Sequence, residues 1–405
     1  MKIGIITTWF ERGAAYVSRQ YMKVLKELGH DVFIYARGAY CETKDPIWNE
    51  KNVTRGKKLI FTKIDKKHIE KWVNDNKIEC LFFNEQHEFK ILIDLKKKFP
   101  HVKIGSYIDY YTEDTIPLFD IYDFLICNTK RHYSAFRNHK QVYYVKWGTD
   151  TEVFKPNRME NKKLTFFHSM GMSYRKGTDI LVNTFIRGKL YNESKLIIHT
   201  QVKGLNICGM GVKDLEKYNI EVVERTVGAP GLYYLGDVYV YPTTLEGLGL
   251  TIYEALACGM PVITTDYPPM NEVITSKVGR LINVREFHAR ADGYYWPQSF
   301  CDEESLIRAM RYYLDMDGNE LDSLKTQVRE YACKQLDFST RKYQIEEIFT
   351  KTKIEKLKKS TVQKIILYEK NIKKAALLNS FAYSRFCNDK LWILLNIINK
   401  RKNLN

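Results

Sequence analysis

Short apolar runs rich in β-branched residues alternate with amphipathic segments along the first 150 residues. Residues 2–8 (KIGIITT) predict a strand, and residues 17–28 carry apolar side chains at the spacing of a helix that ends at Gly29. Residues 31–35 predict the next strand, which gives a βαβ unit with parallel strands. Further strands are predicted at residues 79–83, 103–108, 124–128 and 142–146. Regular alternation of strands and helices is typical of a doubly wound α/β domain.

The alternation stops at residues 147–163, a polar stretch with glycine, proline and several charges, and then starts again. A helix is predicted from Thr178, and a second series of strands is predicted at residues 164–170, 195–200, 220–224, 237–242 and 261–266. We therefore predict an α/β protein with two Rossmann-like doubly wound domains, residues 1–155 and 156–337, that face a cleft. Loops at the carboxyl ends of both sheets can meet there, so the cleft is the expected ligand site.

Composition and charge narrow the class of protein. With 44% hydrophobic residues among 405, the chain has enough apolar surface for two cores, and this composition excludes a disordered protein. The net charge of +16 is concentrated at the end, because residues 351–405 hold 14 basic and 3 acidic residues. The basic character belongs to this C-terminal segment and not to the predicted cleft, so we expect no nucleic acid partner.

The cysteines and the N-terminal residues indicate the cellular compartment in which the protein is expected. The eight cysteines are scattered, without a CxxC pair or the spacing of metal ligands, so we expect free thiols in a reducing compartment. The first residues predict a strand and lack the apolar core of a secretory signal. No window approaches the ~20 consecutive apolar residues of a membrane-spanning helix. The expectation is a cytoplasmic protein that does not span a bilayer.

The segment with the most chemical information is residues 236–274. It predicts a buried strand, a glycine-containing loop, a helix that begins near Leu250 and another buried strand. Gly247 and Gly249 lie just before the helix. Because glycine has no Cβ, an anion can approach the backbone amides and the positive end of the helix dipole there. We expect a diphosphate to bind at Gly247, Leu248, Gly249, Leu250 and Thr251.

Two glutamates accompany this loop. Glu246 precedes the helix and Glu254 lies eight residues later, an offset of roughly 12 Å along a helix axis. One carboxylate can then bind hydroxyls on each side of a diphosphate, and a nucleotide sugar has that layout of sugar, diphosphate and ribose. Glu246 would accept hydrogen bonds from the transferred sugar and Glu254 from the ribose. The alternative is that both are solvated helix residues.

At these residues the chain resembles the retaining GT-B glycosyltransferases of family 4, whose signature is two glutamates separated by seven residues after a strand ending in Pro-Ser or Pro-Thr. The matching residues here are Pro242, Thr243, Glu246, Gly249, Glu254, Ala255, Gly259 and Pro261-Val262-Ile263. Residues 174–185 resemble the family's Lys-Gly segment, and residues 147–156 resemble its interdomain linker. The resemblance implies a GT-B fold with an N-terminal acceptor domain, a C-terminal nucleotide-sugar domain and a crossover helix at residues 338–350.

The resemblance also implies roles for single residues. Lys176 would bind the donor diphosphate and neutralise charge that develops on the leaving group. Many members carry an arginine directly after the glycine that is Gly171 here; this chain has Met172, and Arg175 is the expected substitute. The glycine-rich loop of the family's first domain is represented by Gly13 and its neighbours, and a full GxGxxG fingerprint of nicotinamide enzymes is absent there.

On the acceptor side, many relatives place a histidine after a middle strand of the first domain. Asp109 stands at the corresponding place in this chain, and His87 follows the preceding predicted strand. Either side chain could orient an acceptor hydroxyl, and the sequence does not select a general base.

The mechanism implied by the resemblance is transfer with retention, in which the acceptor attacks from the leaving-group face and the departing diphosphate oxygen takes the proton. The DxD triplet at residues 315–317 closes a late helical stretch far from the motif, so we expect no metal site and no cofactor beyond the donor. Three alternatives stay open: a sugar-nucleotide epimerase, a DNA-modifying glucosyltransferase and a non-catalytic nucleotide-sugar binder.

The last segment, residues 351–405, is predicted to be a basic amphipathic helical tail. It sets Val362, Ile365, Ile366, Ile372 and Ala376 near one helix face, with Lys364, Lys370, Lys373 and Lys374 among them. Residues 390–402 add an apolar stretch with Trp392 between basic residues. Such a segment can lie on an anionic membrane surface, which would suit a lipid-linked glycan acceptor, or can pack on the first domain or on a partner chain.

Overall fold

The computed structural model describes residues 1–37, 46–57, 59, 62–84, 86–157 and 161–382, with side chains described to residue 372. The strands of the first half are β1 (Lys2–Thr7), β2 (Asp31–Ala36), β3 (Val53–Arg55), β4 (Cys80–Asn84), β5 (Lys103–Tyr107), β6 (Phe124–Cys127) and β7 (Val142–Tyr144). The helices of this half are α1 (Gly13–Glu27), α2 (Lys66–Asp75), α3 (Lys90–Lys98) and α4 (Lys130–Phe136).

These seven strands form one parallel sheet in the order β3-β2-β1-β4-β5-β6-β7. The central strands β4 and β5 are buried at every position, as expected for a sheet covered on both faces. The order changes direction at β1, which pairs with β2 on one side and β4 on the other. Loops diverge at such a switch point and leave a crevice at the carboxyl ends of the strands. The loop that leads into α1 opens into this crevice.

The second half repeats this plan. Its strands are β8 (Thr165–Gly171), β9 (Lys195–Thr200), β10 (Ile220–Glu224), β11 (Val238–Tyr241), β12 (Val262–Thr265) and β13 (Gly279–Ile282), and its helices are α5 (Thr178–Arg187), α6 (Val212–Glu216), α7 (Leu250–Ala257), α8 (Glu303–Leu314) and α9 (Gly318–Gln335). The parallel sheet has the order β10-β9-β8-β11-β12-β13, so its switch point lies between β8 and β11. The prediction of two Rossmann-like doubly wound domains is confirmed.

An antiparallel hairpin, β14 (Val284–His288) and β15 (Gln298–Cys301), follows the second parallel sheet. The sequence analysis did not predict this hairpin, nor β3 and β13. β3 is a three-residue strand of half-buried residues, and β14 is largely polar, so neither carries the apolar run by which buried strands are recognised.

The chain then returns to the first domain. The linker and the returning segment cross at a β-bridge between Thr149 and Asp337, where a Cβ on Gly148 would lie 2.4 Å from the carbonyl oxygen of Leu336. Helix α10 (Lys342–Lys351) packs against α1 and places Phe349 within 5.1 Å of the Phe82 ring centroid. The last helix, α11 (Lys359–Ala382), packs against α3 and against the turn at Ile116–Ile121.

Only part of the predicted apolar face of α11 is buried. Ile365 is fully buried and Val362 half-buried against the first domain, whereas Ile366 and Ile372 are 54% and 48% exposed. Of the residues predicted near one face, Ile365 and Val362 therefore pack on the first domain, while Ile366 and Ile372 stay largely open. The docked face centres on Ile365, and the next residue of a helix points about 100° away. The predictions for Lys373, Lys374 and Ala376 and for residues 390–402 fall outside the described side chains.

No helix in the part of the chain that the structure describes is long and apolar enough to cross a membrane.

Candidate functional site

A cleft of about 460 Å³ lies between the two domains, at the carboxyl ends of both parallel sheets. The first domain contributes Gly13 and Asp109 to its lining, and the second contributes Arg175, Lys176 and residues 245–251. Strands β8 and β11 are neighbours in the sheet, so the loops that follow them begin side by side. This adjacency brings Lys176 and Glu246 together although they are 70 positions apart in sequence. The crevice between the two loops opens at the switch point. The structure thus brings together most of the site residues that the sequence predicts. Met172 is 67% exposed and does not line the cleft.

Glu246 is the most strongly held side chain of the cleft. Its Oε1 accepts hydrogen bonds from Nζ of Lys176 at 2.6 Å, from Oγ1 of Thr243 at 2.7 Å and from the hydroxyl of Tyr241 at 2.8 Å. Its Oε2 lies 4.0 Å from Nη2 of Arg175 and accepts no hydrogen bond from the described residues. One carboxylate oxygen is therefore fixed by the protein, and the other is available to a ligand.

Electrostatics keeps this carboxylate charged. Burial opposes ionisation of Glu246, but the charges of Lys176 and Arg175 outweigh it and lower the pKa of the carboxyl to about 2. Burial lowers the pKa of Lys176, while the charge of Glu246 acts in the opposite direction. With its lowered pKa, Glu246 is ionised near neutral pH and is a hydrogen-bond acceptor only.

The expected anion cradle lies beside Glu246. Helix α7 begins at Leu250, and Gly249 precedes it with φ of 73°, a left-handed conformation that glycine adopts without strain. At Gly247 the constraint is space, since a Cβ there would lie 2.0 Å from Oδ1 of Asp109. The first amides of α7 and the cationic side chains of Arg175 and Lys176 line the same cleft, an arrangement suited to a diphosphate.

Glu254 lies in a second compartment of about 140 Å³, which also includes Glu11, His199 and residues 227–229. Thr251 lines both compartments, so they adjoin. The hydroxyl of Tyr233 donates to Oε2 of Glu254 at 2.5 Å, and burial raises the pKa of this carboxyl to about 7. The two glutamates therefore face different compartments, and their carboxyl pKa values are shifted in opposite directions.

The two acceptor-side candidates are placed differently. Asp109 lines the cleft, and its carboxylate accepts no hydrogen bond from the described residues. His87 does not line it; its ring stacks on Tyr110 with centroids 5.1 Å apart, and burial together with the charge of Arg37 lowers its pKa. Asp109 is thus in position to contact a ligand in the cleft. His87 instead contacts Tyr110, the residue that follows Asp109 in the sequence.

The DxD triplet at residues 315–317 contributes to the beginning of helix α9. Asp317 caps α9 by accepting a hydrogen bond from the backbone N–H of Glu320, and the Glu320 side chain completes a capping box. Among the described residues, no group of three or more His, Cys, Asp or Glu side chains is arranged to hold a metal ion.

The structure adds residues that the sequence analysis did not select. Arg131 of α4 is buried and donates through Nη2 to the carbonyl oxygen of Glu246 and through Nη1 to that of Pro268 at 2.6 Å. Glu272 of the second domain accepts hydrogen bonds from the backbone N–H groups of Lys130 and Arg131. Arg290 and Tyr294 of the hairpin also line the cleft. The aromatic stretch GYYWP at residues 293–297 is a feature of the sequence that could have drawn attention to this loop, but the sequence analysis did not use it.

Comparison with known proteins agrees with this geometry. Residues 217–335, which include both glutamates, match the family model described as Glycosyl transferases group 1. The lipopolysaccharide core biosynthesis mannosyltransferase LpsB of Rhizobium meliloti is 27% identical over 190 residues, which cover 40% of this chain and 51% of LpsB. The chain thus spans about half of the length of LpsB.

Solved structures extend the likeness to the fold of both domains. Sucrose-phosphate synthase of Thermosynechococcus elongatus superposes with a TM-score of 0.67 at 17% identity and covers 87% of this chain and 98% of that one. Anabaena HepE in complex with UDP and glucose gives a TM-score of 0.64 at 14% identity over 86% of this chain and 99% of its own. The chain therefore has a GT-B fold, and its residues 217–335 are similar to the Glycosyl transferases group 1 domain.

Proposed function

We propose that the protein is a retaining glycosyltransferase that moves a sugar from a nucleotide-diphosphate sugar to a hydroxyl of a glycan or lipid-linked acceptor, without a metal ion. The observation that carries this proposal is the buried, ionised Glu246 beside Lys176 and the N-terminus of α7 in the interdomain cleft. The family match and the mannosyltransferase name of LpsB support glycosyl transfer. Retention and metal independence rest on the resemblance to family 4.

The donor would lie across both compartments. Its diphosphate would contact the first amides of α7 together with Lys176 and Arg175, which supply charge-assisted hydrogen bonds. Its sugar would lie against the available Oε2 of Glu246. Its ribose would lie against Glu254, whose Oε1 accepts no hydrogen bond from the described residues. The complex of HepE with UDP and glucose is consistent with this class of donor.

In the proposed reaction the acceptor oxygen forms a bond to C1 of the donor sugar while the bond from C1 to the diphosphate oxygen breaks. The departing oxygen takes the proton of the acceptor hydroxyl on the same face of the sugar, so the anomeric configuration is retained. Lys176 and the amides of α7 would stabilise the negative charge that develops on the diphosphate. Glu246 and Asp109 would hold donor and acceptor in the reactive geometry.

The same proposal assigns acceptor binding to residues 1–155 and donor binding to residues 156–337. It places the protein in the cytoplasm, with the basic segment 351–405 in contact with an anionic membrane surface that carries the acceptor.

The first test is a thermal-shift screen with UDP, GDP, ADP and dTDP. A nucleotide at 100 times its Kd stabilises a protein by about 2.7 kcal/mol, so the correct donor class should stand out. If none of the four raises the melting temperature, the proposed function fails.

The second test uses the matching nucleotide sugars and follows the products by NMR. The product should keep the donor's anomeric configuration, and excess EDTA should leave the rate unchanged. Glu246→Ala and Lys176→Ala should each lower transfer by about 100-fold or more. An epimerised nucleotide sugar formed without acceptor, or transfer to DNA, would favour the corresponding alternative enzyme.

A further inference from the structure

The hairpin of β14 and β15 is fixed at its base to the loop that carries Glu246. The backbone N–H of Ser299 donates to the carbonyl oxygen of Thr244 at 2.8 Å, and Nε2 of Gln298 donates to the Thr244 hydroxyl at 3.0 Å. The N–H of Thr244 in turn donates to the carbonyl oxygen of Arg175 at 2.8 Å. The base of the hairpin is thus part of the same hydrogen-bonded unit as the proposed donor site.

The loop of the hairpin, residues 289–297, reaches the first domain. Tyr294 forms a β-bridge with Thr112, and the N–H of Tyr295 donates to the carbonyl oxygen of Tyr111 at 3.0 Å. The rings of Tyr294 and Tyr110 stack with centroids 5.3 Å apart. The hairpin therefore spans from the donor loop of one domain to the segment that carries Asp109 in the other.

Two side chains of this loop enter the cleft. Nε of Arg290 donates to Oδ1 of Asp292 at 2.8 Å and Nη2 donates to Oδ2, so the guanidinium is held in one orientation. Nη1 of Arg290 donates to none of the described residues. The guanidinium carbon Cζ of Arg290 lies 5.7 Å from the Tyr294 ring centroid. Both residues line the compartment that holds Asp109 and Glu246, and neither lines the compartment of Glu254.

This end of the cleft combines an oriented guanidinium, the Asp109 carboxylate, which accepts no hydrogen bond from the described residues, and the ring of Tyr294. The Tyr110 ring stacks on both His87 and Tyr294 and supports the Tyr294 ring from behind. Saccharides are bound by such sets, because hydroxyls exchange hydrogen bonds with planar charged groups while the apolar face of the sugar ring packs on an aromatic ring. On the proposed function, the donor would occupy Glu246, the α7 N-terminus and the second compartment. The remaining part of the cleft, beside Asp109 and the hairpin, is left for the acceptor.

We propose that the hairpin loop completes the acceptor subsite, with Arg290 and Tyr294 of the second domain and Asp109 of the first domain binding a saccharide ring. Acceptor recognition is then shared between the domains, and Arg290 and Tyr294 are specificity-determining residues. This inference rests on the proposed function.

The test is saturation-transfer NMR on the full chain with the nucleoside diphosphate selected by the thermal-shift screen and with methyl glycosides of mannose, glucose, N-acetylglucosamine and glucuronic acid. The wild-type protein should bind at least one glycoside. Arg290→Ala and Tyr294→Ala should weaken that binding by about tenfold, the equivalent of one or two lost hydrogen bonds, and leave nucleotide binding unchanged. The Tyr294→Phe variant keeps the aromatic ring and should therefore still bind the glycoside.

Arg285→Ala is the matched control, because Arg285 lies on the same hairpin, is 52% exposed and pairs with Glu286 outside both compartments. It should bind the glycoside as the wild type does. Wild-type protein that binds none of the glycosides, or Arg290→Ala and Tyr294→Ala variants that bind them normally, would overturn the inference. Failure of the wild type to bind any nucleotide would instead refute the proposed function.

Discussion

A Cβ on Gly247 would lie 2.0 Å from Oδ1 of Asp109, so the first domain's carboxylate occupies the space that a side chain of the second domain's loop would need. The backbone of Gly247 is outside the left-handed region, so the constraint at this position is space and not backbone conformation. The atom that a new methyl group would meet is the free end of a side chain, which can rotate away.

Gly247→Ala should therefore displace the Asp109 carboxylate without unfolding the protein. We expect the rate of transfer to fall as far as in Asp109→Ala, with a melting temperature close to that of the wild type. The double variant Asp109→Ala/Gly247→Ala should be no slower than Asp109→Ala alone, because the displaced group is already gone. Additive losses in this cycle would show that Gly247 acts independently of Asp109.

Lys176→Ala should lower stability as well as activity. Lys176 and Glu246 form a largely buried pair with side chains 15% and 6% exposed. Without Lys176 the carboxylate keeps only Arg175, at 4.0 Å, as a nearby cation, and breaking such a pair should cost up to roughly 3 kcal/mol. Urea unfolding of the variant measures this loss. Lys195→Ala is the control, since Lys195 and Glu221 make a contact of similar length with side chains 37% and 49% exposed, and its loss should cost less than about 1 kcal/mol. Equal effects of the two substitutions would contradict the burial argument.

The raised pKa of Glu254 makes stability depend on pH. A carboxyl whose pKa rises from 4.5 to about 7 on folding favours the folded state while protonated and loses that contribution as pH rises through about 7. Relative to Glu254→Gln, the wild type should become less stable between pH 4.5 and pH 7, with little further change above. Melting temperatures of both proteins across this range give the comparison, and parallel curves would refute the shift.

Contact with an anionic membrane can be tested on α11 without disturbing its packing. Ile366, Leu367 and Ile372 are 54%, 60% and 48% exposed, so their triple replacement by serine should leave stability unchanged and weaken binding to phosphatidylserine vesicles at low salt. Ile365→Ser is the contrasting variant, because it alters a fully buried side chain and should lower the melting temperature. Wild-type protein that ignores such vesicles would remove the main support for a lipid-linked acceptor.

The two domains and the glycine loop at the beginning of α7 could be predicted because their signals are local. Apolar runs identify buried strands such as β4 and β5, and the glycines of residues 247–249 mark the beginning of α7. The resemblance to a known family added Lys176, which lies 70 residues from Glu246 and has no local link to it.

The contacts between the domains could not be predicted in this way. In the sequence, Arg131 cannot be told from any other arginine on a helix. Only the packing of the two domains against each other brings its guanidinium to the carbonyl oxygen of Glu246. The hairpin loop lies between two short strands of mixed polarity, and neither strand carries the apolar run by which buried strands are recognised. His87 and Asp109 follow neighbouring strands, and the sequence alone could not decide which of them faces the cleft.

The capping of α4 by Glu272 makes domain opening visible at single amides. The backbone N–H groups of Lys130 and Arg131 donate to this carboxylate at 2.7 and 2.9 Å, and the carboxylate belongs to the other domain. Each separation of the domains therefore removes the acceptor of these two amides, while Thr129 still caps the helix, so both amides should exchange faster with solvent deuterium whenever the domains separate. Their exchange rates would report how often the cleft opens, and a bound nucleotide that closes the cleft would slow them.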